Sequence, residues 1–313
     1  MIVFFKVLIL IICHFVIIKH LYPEEKVRQI KDNYKVKKNK MNEQTGLAVT
    51  EYKYGAYTIS IVSKKYMHYL VVIKNNSLEY VMHSQKQGGF RFAAFDKDKE
   101  LKYINTDLTG NGQPNLVIYE YGIKPTILMT HIFETGDTFK KLYSIEGDFI
   151  NPIFKDLNND KIPEIIFTDC TFHKWRYPTP DCHYPKVIFT YKDGRHIYAK
   201  ELMEKPIPSD DAFEGKVKEV RKTSKWTYPT AEIVIPPPEI WGYMLELIYS
   251  GNSKKAWEFY EKVWMGNLDK QKEKYLLDFI EQLSSSRYWN LIKKLNRDDK
   301  KLVEYKSDNR IAE

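Results

Sequence analysis

Short stretches of alternating apolar and polar residues fill the first two thirds of the chain. Runs rich in β-branched and aromatic residues recur between residues 57 and 198, with turn-forming residues between them. The pairs at 75–76 (Asn-Asn) and 193–194 (Asp-Gly) are typical of two-residue hairpin turns. Strands this short, with a turn about every eight to twelve residues, predict a mainly β, antiparallel region over residues 50–205.

Beyond residue 239 the apolar residues recur with the period of a helix. The first helical face consists of Ile240, Tyr243, Met244 and Leu247. Gly251 breaks this stripe, and three further helices are expected before residue 297. The pattern therefore predicts a small all-α C-terminal domain over residues 239–297. A Pro-containing linker, 206–238, precedes it, and a polar tail, 298–313, follows it.

The N-terminus is a predicted anchor. Residues 2–18 are apolar apart from Lys6 and His14, a length near the lower limit for crossing a bilayer. No small-residue cleavage site follows, which favours an uncleaved signal anchor over residues 1–20 rather than a cleaved signal peptide. Cys13 leaves lipoprotein attachment as a further alternative.

The charge of the chain is concentrated behind this anchor. The net charge is +8, and seven basic residues against one acid lie between residues 26 and 40. The remainder is close to balanced, so no nucleic-acid partner is expected. The basic stretch is interpreted as part of a tether, 21–49, that lies near an anionic membrane surface.

Two arguments about membrane orientation oppose each other. The positive-inside tendency would keep the body of the protein in the cytoplasm. Loops of calcium-binding type and a pair of cysteines are commoner outside it. The expected location is the extracytoplasmic face of a membrane, in the periplasm or at the cell surface.

The β region contains two matching oxygen-rich loops, each followed by an apolar strand. They begin 49 residues apart (156 minus 107). Hard cations prefer oxygen ligands at such alternating positions, which predicts Ca²⁺ binding. The candidate ligands of the second loop are Asp156, Asn158, Asp160, the carbonyl of Ile162, and Glu164. Those of the first loop, which offers only one acid, are Asp107, Thr109, Asn111, the carbonyl of Gln113, and Asn115. The alternative is a turn whose Asp and Asn side chains cap their own backbone.

The two loops resemble the FG-GAP or VCBS-type repeats of integrin-alpha-like β-propellers and of many exported bacterial proteins. The pattern runs Asp-x-[Asp/Asn]-x-[Asp/Asn]-[Gly]-x-Pro-[Asp/Glu] into an apolar strand; it is matched at 156–167, where Lys161 replaces the usual glycine, and less completely at 107–118. The resemblance implies a propeller-like or partial-propeller fold, because a full seven-bladed propeller does not fit between residues 50 and 206. Residues 240–263 resemble one tetratricopeptide-type helical hairpin, with a plain packed helix pair as the alternative.

The segment after the second repeat holds two further candidates. Cys170 and Cys182 bracket a loop that a disulfide would close in an oxidising compartment; a metal site and free thiols are the alternatives. The loop is also a candidate surface for recognising a protein or glycan partner, because exposed aromatic side chains beside Arg suit recognition. Its candidate contact residues are His173, Trp175, Arg176 and Tyr177. A structural loop that packs on the sheet is the other interpretation.

The sequence contains none of the common catalytic motifs, such as a nucleophile elbow or a phosphate-binding Gly-rich loop. The preferred hypothesis is a non-catalytic, membrane-anchored protein that acts in binding or envelope assembly. An exported hydrolase with its site in loops of the β region, and a scaffold that holds a partner protein on the helical hairpin, are the alternatives.

Overall fold

The computed structural model describes most of the chain beyond the N-terminus. The described residues are 37–42, 47–64, 67–84, 88–92, 106–122, 128–176, 184–223, 226–230, 233–264 and 269–305. The predicted anchor, 1–20, lies outside them. Within the described residues, no helix combines the length and the apolar character needed to cross a bilayer.

Three antiparallel sheets follow one another along the chain. The first contains β1 (Lys37–Asn42), β2 (Leu47–Tyr54), β3 (Tyr57–Lys64), β4 (Met67–Lys74) and β5 (Ser77–His83). The second contains β6 (Gly89–Phe92), β7 (Asn115–Tyr121), β8 (Leu128–Thr135) and β9 (Phe139–Gly147). The third contains β10 (Ile153–Lys155), β11 (Glu164–Thr168), β12 (Lys186–Lys192) and β13 (Arg195–Tyr198). Spatial neighbours in each sheet are also neighbours in sequence, so the mainly β, antiparallel prediction is confirmed.

Two of the connecting turns are those expected from the sequence. Asn75 and Asn76 have φ angles of 49° and 67°, and Asp193 and Gly194 have φ angles of 53° and 80°. Two positive φ angles in a two-residue turn match the twist of the flanking strands. These turns therefore set the pairing of β4 with β5 and of β12 with β13.

The second sheet is the middle layer of a three-sheet stack. Along β7, Leu116 and Ile118 pack in a core with residues of the first sheet, whereas Val117 and Tyr119 belong to the core of the third sheet and the helices. Successive side chains of a strand point to opposite faces of its sheet. Because both faces are covered, β7 is buried from Asn115 to Glu120.

Helices follow the third sheet and cover it. They are α1 (Lys200–Met203), α2 (Asp210–Thr223), α3 (Pro238–Tyr249), α4 (Ser253–Val263), α5 (Asp269–Ser284), α6 (Trp289–Leu295) and α7 (Lys300–Val303), with a small hairpin of β14 (Thr227–Thr230) and β15 (Ile233–Ile235) before α3. Ile165 and Phe167 of the third sheet share one hydrophobic core with Ile240, Met244 and Phe279 of the helices. The helical segment is thus packed directly onto the β region.

The structure also contains elements that the sequence analysis did not predict. Strand β1 lies in the predicted tether, 21–49, where it pairs with β2. Helix α2 lies in the predicted linker, 206–238. Its buried residues are Phe213, Val217 and Val220. A three-residue apolar stripe in a charged segment is a weak signal alone, and it is stabilised here because α4 covers it, with Phe213 against Phe259.

Candidate functional site

The two oxygen-rich loops fold in the same way. Each one directly precedes the second strand of its sheet, β7 or β11. Antiparallel backbone pairing joins the two ends of each loop at equivalent positions: Thr106 pairs with Asn115, and Lys155 pairs with Glu164. In each loop the first aspartate accepts hydrogen bonds from the main-chain N–H groups three and five positions later. Asp107 accepts from Gly110 and Gly112 at 2.7 Å each, and Asp156 accepts from Asn159 at 2.7 Å and Lys161 at 3.0 Å.

The fifth and ninth positions repeat this equivalence. The fifth side chain accepts from the main-chain N–H two positions later: Asn111 from Gln113 at 2.9 Å, and Asp160 from Ile162 at 2.8 Å. The ninth side chain reaches back to the N–H of the second position: Asn115 to Leu108 at 2.6 Å, and Glu164 to Leu157 at 2.8 Å. The loops are therefore held by side-chain oxygen atoms that cap the backbone of the same loop.

The loops differ in the residues that adopt left-handed backbone conformations. The first loop uses Gly110 and Gly112, with φ angles of 71° and 76°. The second uses Asn159 and Lys161, with φ angles of 63° and 72°. A Cβ atom makes this conformation unfavourable by roughly 1–2 kcal/mol, although Asn tolerates it better than most residues. The second loop is therefore the more strained of the two, chiefly at Lys161.

The predicted calcium ligands all lie in these two loops, but their side-chain oxygen atoms already have partners. Asp156, Asp160 and Glu164 each accept a main-chain N–H, and Glu164 is 1% exposed. Asn158 accepts from Asp160, and Asp107 also accepts from Thr109. Among the described residues, no group of three or more acidic, His or Cys side chains is arranged to hold a metal ion. The loops as folded have the geometry of self-capped turns.

The loop after the second repeat is tied to the helices. The Trp175 ring contacts four aromatic rings at centroid distances of 5.1 to 6.1 Å: Phe172, Trp241, Tyr275 and Phe279. Arg176 lies over the rings of Trp175 and Tyr275 and forms an ion pair with Asp278 of α5. Both candidate recognition residues therefore make intramolecular contacts between the third sheet and the helices.

The structure describes only two of the four other candidate residues in and beside this loop. His173 is exposed, and its Nδ1 lies 2.7 Å from the hydroxyl of Tyr184. Cys170 is buried, and its main-chain N–H donates to Asp148 at 2.6 Å. Tyr177 and Cys182 lie outside the described residues, and so does the predicted disulfide.

The helical hairpin of α3 and α4 is part of the core. Leu247 and Tyr260 are 3% and 0% exposed. Tyr243 is partly buried, with its ring 4.8 Å from that of Phe259, and the Tyr260 hydroxyl donates to the carbonyl of Lys272 at 2.8 Å. The side chains that would line a peptide groove are therefore used for internal packing.

A buried cluster of polar side chains, which the sequence pattern does not reveal, connects the sheets to the helices. Asp169, which follows β11, is 1% exposed and accepts hydrogen bonds from the hydroxyls of Tyr249 and Ser286. Asp148, which follows β9, lies 3.2 Å from the guanidinium of Arg287. Burial raises the pKa of Asp148, although the Cys170 N–H and Arg287 favour its charged form. In the sequence, the only signal of this cluster is that each acid directly follows an apolar strand. The partners of both acids come from distant segments of the chain.

A second buried network lies between the first and second sheets. The His131 ring joins Glu120 at 2.9 Å through Nε2 and Ser144 at 2.7 Å through Nδ1. The other carboxylate oxygen of Glu120 accepts from Ser84 at 2.7 Å. Glu120 and His131 are 4% and 3% exposed, and Ser144 is partly buried. The only sequence signal is the presence of Glu and His within apolar strands.

Comparisons of the chain with protein-family models, with curated proteins and with solved structures found no match. The resemblance of the two loops to FG-GAP or VCBS-type repeats therefore depends on their sequences alone.

Proposed function

We propose that the protein is a membrane-anchored, extracytoplasmic protein that acts in binding or envelope assembly without catalysis. The observation that carries this proposal is the structural role of the two repeat loops. Their side-chain oxygen atoms accept hydrogen bonds from main-chain N–H groups of the same loop, so these side chains hold the turns that lead into β7 and β11. The apolar residues 2–18 and the basic tether would attach this body to a membrane.

The β region is proposed to be a partial propeller of FG-GAP or VCBS type. Three consecutive antiparallel sheets stack face to face, and equivalent loops precede β7 and β11. Helices cover the third sheet, where a complete propeller would continue with another blade. A protein or glycan partner would then bind the outer surface of this assembly.

Calcium binding at the second loop stays a prediction within this proposal. Its support is the ligand chemistry of Asp156, Asp160 and Glu164, since affinity for Ca²⁺ rises with the number of acidic ligands. The test is thermal unfolding of the full-length protein with Ca²⁺ and with chelator, beside the Asp156→Asn variant. A melting temperature that neither Ca²⁺ nor chelator changes would contradict the prediction.

The location is tested with reporter fusions to the C-terminus of the full-length chain in a bacterial host. An alkaline phosphatase fusion should be active, because alkaline phosphatase folds outside the cytoplasm. A green fluorescent protein fusion should not fluoresce, because that protein folds within the cytoplasm. Deletion of residues 1–20 should release the protein from the membrane fraction. The opposite pair of reporter activities would reject the proposed orientation.

An exported hydrolase is the second candidate, and one observation favours it. The hydrogen-bonded series Ser144, His131, Glu120 has the residue types of a nucleophile, a base and an orienting acid, in that order. It lies on strands and not in loops, and the base is buried. A fluorophosphonate probe tests it: labelling of the wild type that is lost in Ser144→Ala would support a hydrolase, and an unlabelled wild type would oppose it.

A further inference from the structure

Helix α6 and the turn after it form one side of an open basin. Its volume is about 490 Å³, and its lining residues are Asn290, Lys293, Lys294, Arg297 and Val303. Asn290, Lys293 and Lys294 share one face of α6, and Arg297 lies in the turn after the helix. The other face of α6 carries Leu291, Ile292 and Leu295, which are buried in the core. The basin therefore lies beside a helix that is packed against the core.

The charges in this basin are of one sign. Three of its five lining residues are cationic, and none is acidic. Within the described part of the chain, Lys293, Lys294 and Arg297 form no ion pair. Elsewhere on the helices many cations are paired, such as Lys255 with Glu258 at 2.7 Å. The described residues therefore provide no ion-pair partner for these three cations, although Lys293 lies 5.6 Å from the centroid of the Trp289 ring.

The nearest acids in sequence do not line this surface. Asp299 is buried, and it accepts hydrogen bonds from Ser253 at 2.5 Å and from the Trp257 indole at 2.6 Å. It also accepts from the main-chain N–H of Lys301, which caps α7. This acid is therefore committed to the packing of α4 against α7. Asp298 and Glu304 are exposed but lie outside the basin lining.

We propose that this basin, which we call the α6 basin, binds the phosphoryl group of a small soluble molecule. An Arg beside two Lys residues suits a phosphoryl oxyanion, because guanidinium can donate two parallel hydrogen bonds and each ammonium adds a mobile charge. The competing explanation is that cations near the end of α6 only complement the helix dipole.

The two explanations separate in a binding experiment on the full-length protein in detergent. Inorganic phosphate and pyrophosphate are titrated at constant ionic strength, by calorimetry and by thermal unfolding. The wild type should bind pyrophosphate with a Kd of about 1 mM or tighter. The Lys294→Gln/Arg297→Gln variant should lose at least about tenfold in affinity, since it removes two charge-assisted contacts.

A matched control removes the same charge from other helices. Lys254 and Lys274 are exposed on α4 and α5 and lie outside the basin, so Lys254→Gln/Lys274→Gln should bind as the wild type does. An equal loss in this control would mean general attraction to a basic protein and would overturn the site. Absence of pyrophosphate binding to the wild type, or binding only to phosphatidylglycerol vesicles, would also overturn it.

Discussion

The carboxylate of Asp169, beside the third sheet, accepts a hydrogen bond from the Tyr249 hydroxyl at the end of α3. Both residues are buried, and Ser286 donates to the same carboxylate. Burial and then the charge of Asp169 raise the pKa of Tyr249, so its hydroxyl stays protonated and remains a donor. Three distant parts of the chain therefore meet at one acid.

The variant Asp169→Ala should destabilise the whole protein. It leaves the hydroxyls of Tyr249 and Ser286 buried without this acceptor, and we expect the free energy of unfolding to fall by about 3 kcal/mol. Urea unfolding followed by tryptophan fluorescence measures the change. The control is Asp298→Ala at an exposed position, which should change stability by less than about 0.5 kcal/mol. Equal losses in the two variants would contradict the role given to Asp169.

The variant Asp107→Asn should weaken the first loop in a pH-dependent way. Burial acts to raise the pKa of Asp107, but the N–H groups of Thr109, Gly112 and Gly110 outweigh it and lower the pKa. A lowered pKa stabilises the fold above the unfolded-state value and loses this effect as pH falls through the folded-state value. We expect a loss of about 1–2 kcal/mol at pH 7 that shrinks below about pH 4.

This second prediction is measured by urea unfolding between pH 7 and pH 3. Asp137→Asn is the matched control, because Asp137 is an exposed acid in the neighbouring turn. The difference between the two variants at pH 7 is the decisive quantity. If Asp107→Asn unfolds with the wild-type free energy at pH 7, the capping role of the carboxylate is refuted.

Acid should loosen the contact between the second and third sheets at His196. Its ring lies 4.7 Å from that of Tyr143 and 5.2 Å from that of Tyr191. Both ring nitrogens are buried without a hydrogen-bond partner among the described residues, and burial lowers the pKa of His196 to about 3. The folded state therefore favours the neutral ring. Its stability should fall as pH drops from about 6.5 towards 3, by up to about 4 kcal/mol.

The variant His196→Phe keeps the ring and removes the titration. Between pH 6.5 and pH 4 its free energy of unfolding should fall by less than that of the wild type. His83→Gln, at an exposed histidine of β5, should follow the wild-type curve. Parallel curves for the wild type and His196→Phe would show that His196 does not titrate in this interval.

The variant Trp175→Ala distinguishes a structural loop from a recognition loop. Trp175 contacts Phe172 and three rings of the helices, so its removal should cost about 2–4 kcal/mol of unfolding free energy. His173→Ala, in the same loop but exposed, should cost about 0.5 kcal/mol or less. Chemical unfolding measures both. A Trp175→Ala protein as stable as the wild type would favour the loop as a free surface for a partner.

The sequence by itself determined the features that depend on near neighbours in the chain. The hairpin at Asn75 and Asn76 follows from two residues that tolerate positive φ. The equivalence of the loops at Asp107 and Asp156 follows from side chains that reach backbone groups within about nine positions. Matching residues in the two loops therefore make matching hydrogen bonds. Such interactions need no other part of the molecule.

The tertiary structure alone decided which polar and aromatic side chains have partners in distant parts of the chain. Asp169 lies 80 residues before Tyr249 and 117 before Ser286, and no local pattern pairs them. Trp175 beside Arg176 has the composition of a recognition surface, yet the Trp175 ring is partly buried against the helices and Arg176, which is exposed, pairs with Asp278. Whether a side chain serves the core or a ligand depends on which surfaces meet, and that choice is made by the packing of distant segments.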